Sequence, residues 1–174
     1  MKKMTYILFS LLMFAGLSFA QQSNRTSLNV GTVVNIPLSD FGDVATTGWG
    51  GIAGFQFKIV DHLSATITSG YLGFTEENNY TYTAVPVMAG LKLYMVQGWY
   101  LMAETGWHFY SYDFDPAGTG NILSDNQSEW GYSIGTGYEF DLQGNIGLDI
   151  STKYQYNNNN LSYWNSYIGL MFYL

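Results

Sequence analysis

From Trp130 to Asp141 the even positions read Trp130, Tyr132, Ile134, Thr136, Tyr138 and Phe140, while the odd ones read Gly131, Ser133, Gly135, Gly137, Glu139 and Asp141. The pattern returns from Ile146 to Tyr156, with Ile146, Leu148, Ile150, Thr152, Tyr154 and Tyr156 against Gly147, Asp149, Ser151, Lys153 and Gln155. A period of two puts alternate side chains on opposite faces of a β-strand, one bulky and apolar, the other small and polar. Such strands need either a core to cover the apolar face or an apolar solvent outside it.

The first 20 residues form a separate object. Lys2 and Lys3 precede an apolar run from Tyr6 to Phe14, and Ser18-Phe19-Ala20 places small residues before Gln21. This arrangement predicts a secretory signal peptide cleaved after Ala20, with export through the Sec pathway. The apolar run is shorter than the ~20 residues of a spanning helix. Residues 21–174 are expected to form one domain, without disulfides because the chain has no Cys. The formal net charge of −7 becomes −9 once Lys2 and Lys3 are removed, which argues against nucleic acid or an anionic surface as a partner. Charged residues make up only 11% of the chain, and aromatic ones 18%. A soluble domain usually carries about a quarter charged residues, so much of this surface is expected to face something other than water.

Eight period-two segments can be placed: Leu28–Pro37, Trp49–Ile59, Leu63–Gly73, Thr83–Met95, Trp99–Ser111, Trp130–Asp141, Ile146–Tyr156 and Trp164–Leu174. Pro86 is compatible with the fourth if it sits near that strand's outer end. The connections alternate long (39–48, 74–82, 112–128, 157–163) and short (60–62, 96–98, 141–145). An even strand number, ~10-residue segments and loops of unequal length on the two rims specify an all-β, eight-stranded antiparallel up-and-down transmembrane barrel. The apolar faces carry aromatics at their ends: Trp49 and Phe57, Trp99 and Trp107, Trp130 and Phe140, Trp164 and Phe172. These form two girdles at headgroup depth. In a soluble barrel the bulky faces would instead turn inward.

The chain resembles the small outer-membrane β-barrel proteins, including the OmpX-like and OmpA-like eight-stranded barrels. The likeness rests on Val85-Pro86-Val87 leading into Gly90-Leu91-Lys92-Leu93-Tyr94, on Gly135-Thr136-Gly137-Tyr138, and on the C-terminal Tyr167-Ile168-Gly169-Leu170-Met171-Phe172-Tyr173-Leu174. It implies residence in the outer membrane of a Gram-negative bacterium, contact with outer-membrane lipids, and recognition of the last strand by the outer-membrane insertion machinery. The family's terminal strand commonly ends in Phe; here Leu174 is last and Phe172 lies two residues earlier.

The opposite faces predict a polar lumen. Lys58, Lys92 and Lys153 fall on it, as do Glu104, Glu139, Asp149 and His108, and charges inside so narrow a barrel must be paired. Lys92 and Glu104 lie on neighbouring strands joined by a short turn and are expected to face one another directly or one step diagonally, close enough to pair. A proton path or small-ligand site is the alternative use of these groups.

A serine hydrolase needs Ser, His and a carboxylate at one point. Of the two histidines, His62 falls in a turn, and His108 points inward while Ser111 points outward, so no enzyme is expected. Asp113-Phe114-Asp115 with Gly118 and Asp125 fails as a calcium loop at Ala117 and Ser124. Gly135-Thr136-Gly137 lacks the strand-to-helix setting of a phosphate loop. No cofactor or metal is expected. The resulting expectation is a monomeric barrel with a structural or surface-interaction role through its extracellular loops, a closed lumen and an unidentified surface partner. A narrow pore or lumen-binding transporter is the alternative, and a lipid-modifying enzyme the second.

Overall fold

The computed structural model describes Arg25 to Leu174 apart from residues 39–40, 43–44, 77–79, 97, 115–122, 143 and 159–160. The predicted signal peptide therefore lies outside the described residues. Eight strands follow in order: β1 (Ser27–Leu38), β2 (Ala45–Val60), β3 (Leu63–Glu76), β4 (Tyr80–Val96), β5 (Trp99–Phe114), β6 (Leu123–Asp141), β7 (Ile146–Asn157) and β8 (Ser162–Tyr173). Each pairs antiparallel with its sequence neighbour, and β1 closes onto β8 from Ser27↔Tyr173 to Leu38↔Ser162. Closure satisfies every sheet edge within the hydrocarbon, where water cannot.

The alternation decides which face looks out. Leu28, Val30, Val34, Ile67, Leu91, Leu101, Ile134, Ile150 and Ile168 are exposed on the outer wall, while Asn29, Asn35, Thr66, Ser133, Ser151 and Asn165 are buried inside. Hydroxyls on the lipid side return their protons to the barrel. Thr105 Oγ1 donates to the Gly131 carbonyl at 3.0 Å, Thr136 Oγ1 to Tyr100 O at 2.8 Å and Thr152 Oγ1 to Asn165 O at 3.2 Å. Trp99 Nε1 in turn donates to Thr136 Oγ1 at 2.7 Å.

The strands between the long connections run further than the alternation indicates. β6 starts at Leu123 instead of Trp130, and β5 continues to Phe114, the two pairing as far as Phe114↔Leu123. By contrast β7 joins β6 only from Gly131↔Asn157. A β4–β5–β6 wall thus rises past the Trp107–Trp130 level by about seven residues, about 20 Å at ~3.3 Å per residue, with β4 following β5 up to Tyr80↔Phe114. Beyond the hydrocarbon the outer face no longer has to be apolar, so the pattern fades while the pairing continues.

Pro86 is the seventh residue of β4's 17, further from the strand's end than expected. The β3–β4 register runs to Ser69↔Val87 and resumes at Leu72↔Ala84, a gap opposite the residue that has no N–H to give. At the opposite rim the turns are tight. Gly98 adopts φ of 77°, and a Cβ there would stand 2.5 Å from the Glu139 carbonyl oxygen, so only glycine fits this bend.

Candidate functional site

The termini and tight turns share one rim, the periplasmic one in outer-membrane barrels, and the long connections share the other. Between them the lumen is filled in layers. At the outer mouth Phe41, carried by the β1–β2 connection, is buried among Phe74, Tyr82 and Tyr163, with ring centroids 5.0, 6.4 and 6.5 Å away. Val33, Leu72, Ala84 and Tyr110 complete this apolar plug. Below it His108 stacks on Tyr110 at 6.0 Å, and its Nε2 lies 3.1 Å from the Tyr163 hydroxyl.

The next layer is ionic. Lys153 Nζ donates to Glu104 Oε2 at 2.5 Å, and Ser133 Oγ donates to the same oxygen at 3.2 Å. A cavity of about 50 Å³ follows, lined by Glu104, Lys153, Asn165, Tyr167, Lys92 and Asp149 among others. It has room for a few water molecules at ~10–15 Å³ each and none for an organic ligand. On its periplasmic side Lys92 Nζ lies 2.9 Å from both Glu139 Oε1 and Asp149 Oδ2, and 4.1 Å from the centre of the Tyr100 ring. Tyr94 donates its hydroxyl proton to Glu139 Oε1 at 2.7 Å, and Tyr100 donates to Asp149 Oδ1 at 2.7 Å. Gln56 Nε2 donates to the Tyr94 hydroxyl at 2.7 Å and to Arg25 O at 3.2 Å, tying the N-terminal segment across the bottom. Arg25 itself lies over the Tyr173 ring at 4.8 Å.

The pairing of Lys92 with Glu104 is corrected. Across the β4–β5 ladder Lys92 faces Met102 and Glu104 faces Gly90, so the two do stand one step apart diagonally. Their charges nevertheless pair elsewhere: the lysine extends across the lumen to Glu139 of β6 and Asp149 of β7, while Glu104 takes Lys153 of β7. Lys58 is also corrected. It has the lumen-side parity but stands at the periplasmic rim, 42% exposed, bridging Asp61 at 2.7 Å. That neighbour holds the exposed Asp61 carboxyl below its usual range, first by hydrogen bonding and then by charge. Lys92, Glu104, His108, Glu139, Asp149 and Lys153 are all buried inside the barrel.

Sequence reasoning missed Phe41, because a loop residue carries no period. It also missed the bonding of Gln56, Tyr94 and Tyr100, although their lumen parity was available. On the outer wall Trp49, Trp107, Trp130 and Trp164 stand towards the outer rim, and Phe57, Trp99, Phe140 and Phe172 towards the inner, all exposed. Trp107 and Trp130 pack edge to face at 4.2 Å. His62 is exposed in the β2–β3 turn. Among the described residues no group of three or more His, Cys, Asp or Glu is arranged to hold a metal. Most of the failed calcium loop lies outside the described residues.

No curated protein sequence matches the chain. Solved structures do. Ail of Yersinia pestis superposes with a TM-score of 0.66 at 14% identity, over 88% of this chain and all of Ail. Neisserial surface protein A gives 0.60 at 11% identity, over 86% of this chain and 97% of that one. The N-terminal β-barrel domain of Pseudomonas aeruginosa OprF gives 0.57 at 12%, over 87% and 100%. At these identities the likeness is one of fold. The model of the outer membrane protein β-barrel domain matches residues 7–173, nearly the whole sequence, with the lipid-facing wall and filled lumen described above. The chain belongs to the outer membrane protein β-barrel domain family, and its place is the outer membrane of a Gram-negative cell.

Proposed function

We propose that this barrel is a non-enzymatic surface-interaction protein with a closed lumen, whose working part is the outer rim and the projecting β4–β5–β6 wall. The observation that carries the reading is the distribution of charge. The six Lys and Arg of the chain are Lys2, Lys3, Arg25, Lys58, Lys92 and Lys153. Two belong to the predicted signal, two stand at the periplasmic rim and two are consumed in the lumen. The segments around the outer rim contain Asp40, Asp43, Glu76, Glu77, Asp113, Asp115 and Asp125, and no Lys or Arg.

Connecting segments whose sequence carries charge of one sign select partners by charge before any contact is made. Ail has been crystallised with a heparin analogue, sucrose octasulfate. A polyanion of that kind would be repelled here, so the partner of this barrel is cationic, such as a basic protein segment. The plug around Phe41 and the ion pairs beneath it support a sealed lumen and disfavour the narrow-pore alternative.

The test is binding to the barrel in nanodiscs of poly-lysine and of heparin, at low and high salt. Binding of the polycation that weakens with salt, with no heparin binding, is expected. Heparin binding, or indifference to both, overturns the reading. Planar-bilayer recordings should show no conductance, and a steady open level would restore the pore.

A further inference from the structure

Lys92 is one cation serving two carboxylates. Its Nζ is 2.9 Å from Glu139 Oε1 and 2.9 Å from Asp149 Oδ2, and all three side chains are almost wholly buried. The other lumen lysine, Lys153, is engaged with Glu104 at 2.5 Å. The groups facing Glu139 come from every side: Gln56 of β2, Lys92 and Tyr94 of β4, Tyr100 of β5, Asp149 of β7, and Tyr173 of β8 with Arg25 over its ring. Arg25 is exposed at the rim. With both acids ionised the cluster would therefore keep one uncompensated negative charge in a water-poor interior, which is strongly unfavourable.

The hydrogen bonds say which acid is relieved. Asp149 has a donor on each oxygen, Tyr100 on Oδ1 and Lys92 on Oδ2. Glu139 receives both Lys92 and Tyr94 on Oε1, and its Oε2 is buried with no partner among the described residues. Two other buried oxygens near this layer also have no partner among the described residues, Gln56 Oε1 and the Tyr167 hydroxyl, the latter beside Asp149 on the cavity wall. The Gln56 amide and the Glu139 carboxyl both bond the Tyr94 hydroxyl, at 2.7 Å each.

We propose that the barrel binds one proton at Glu139 Oε2, so that at neutral pH Glu139 is a neutral carboxylic acid and Lys92–Asp149 is the ion pair. The carboxylate takes the proton from solvent water and forms an O–H bond, and no other reactant is needed. That one proton balances the cluster's charge and turns an acceptor without a donor into a donor. Gln56 Oε1, the neighbouring acceptor without a donor, can receive it directly or through one water. This site is independent of any surface partner.

The test is infrared spectroscopy of the barrel in nanodiscs at neutral pH. A protonated carboxylic acid gives a C=O stretch above the carboxylate bands, shifted by deuterium exchange. One such band is expected, moved by ¹³C-glutamate labelling and unmoved by ¹³C-aspartate, a comparison that requires no variant. Glu139→Gln should lose the band while keeping the unfolding midpoint, because the amide mimics the neutral acid. Asp149→Asn should lose it as well, since Lys92 then serves Glu139 alone and the acid ionises. Glu129→Gln, near the outer mouth, should retain it. A wild-type spectrum without the band, a band that follows aspartate labelling, or one that survives Glu139→Gln overturns the proposal.

Discussion

Replacing Lys92 by methionine keeps the length of the side chain and removes the only ammonium within the Glu139–Asp149 pair. The two acids are 0% and 4% exposed beside a lysine that is 7% exposed, so solvent cannot take over its role. Removing one partner of a buried ion pair costs about 3–5 kcal/mol, because a charge stays behind without compensation. The lost contact with the Tyr100 ring adds about 1 kcal/mol. The expected loss for Lys92→Met is therefore about 4–6 kcal/mol, read from reversible urea unfolding in lipid vesicles followed by tryptophan fluorescence. The companion variant Lys92→Met/Glu139→Gln/Asp149→Asn has no charge to leave behind. It should recover most of that loss, since neutral groups of similar volume replace buried ion clusters at little net cost. If Lys92→Met unfolds at the wild-type midpoint, or if the triple variant is as weak as the single one, the lumen charges are not the coupled set their geometry indicates.

Lys58→Ala and Asp61→Asn should leave the midpoint unchanged in the same assay, because that pair stands in water. Asp61, with its depressed pKa, favours the folded state above its unfolded value and loses that preference as pH falls through the folded one. Any effect of Asp61→Asn should therefore disappear in acid. Gly98→Ala should cost more than Gly144→Ala. Both have positive φ, worth about 1–2 kcal/mol to a side chain, but only at Gly98 does the new Cβ meet backbone, and matched unfolding curves measure the difference. Phe41→Ala should lose about 3 kcal/mol by hollowing the outer plug, yet planar-bilayer recordings should stay silent, because the His108–Tyr163 contact and the ion pairs beneath still close the lumen.

What the sequence made legible follows from where the solvent is apolar. Between the aromatic rows every second residue must suit hydrocarbon, so Leu28 to Ile36 or Trp130 to Phe140 declare strand and face without any tertiary information. Above Trp107 and Trp130 that demand ends, and Ser124, Asn126 and Ser128 read as loop although they pair with Asp113, Ser111 and Phe109. Parity likewise assigned six of the seven charged or titratable candidates to a buried interior and mislaid only Lys58, where the strand runs out into the rim.

The choice of partners is a different kind of information. Parity tells that Lys92, Glu104, Glu139 and Asp149 share a lumen, but not which of them meet, because that depends on the curvature that closes the sheet. Along the ladder Lys92 has Glu104 as its diagonal neighbour, one step from Met102. Closing eight strands brings β6 and β7 across the axis, within a lysine's reach of β4. The acids there already hold tyrosine hydroxyls, from Tyr94 and Tyr100, that orient them towards the centre. The lysine thus answers to the barrel's diameter instead of its ladder. A wider barrel carrying the same β4 and β5 should return Lys92 to Glu104 along the wall.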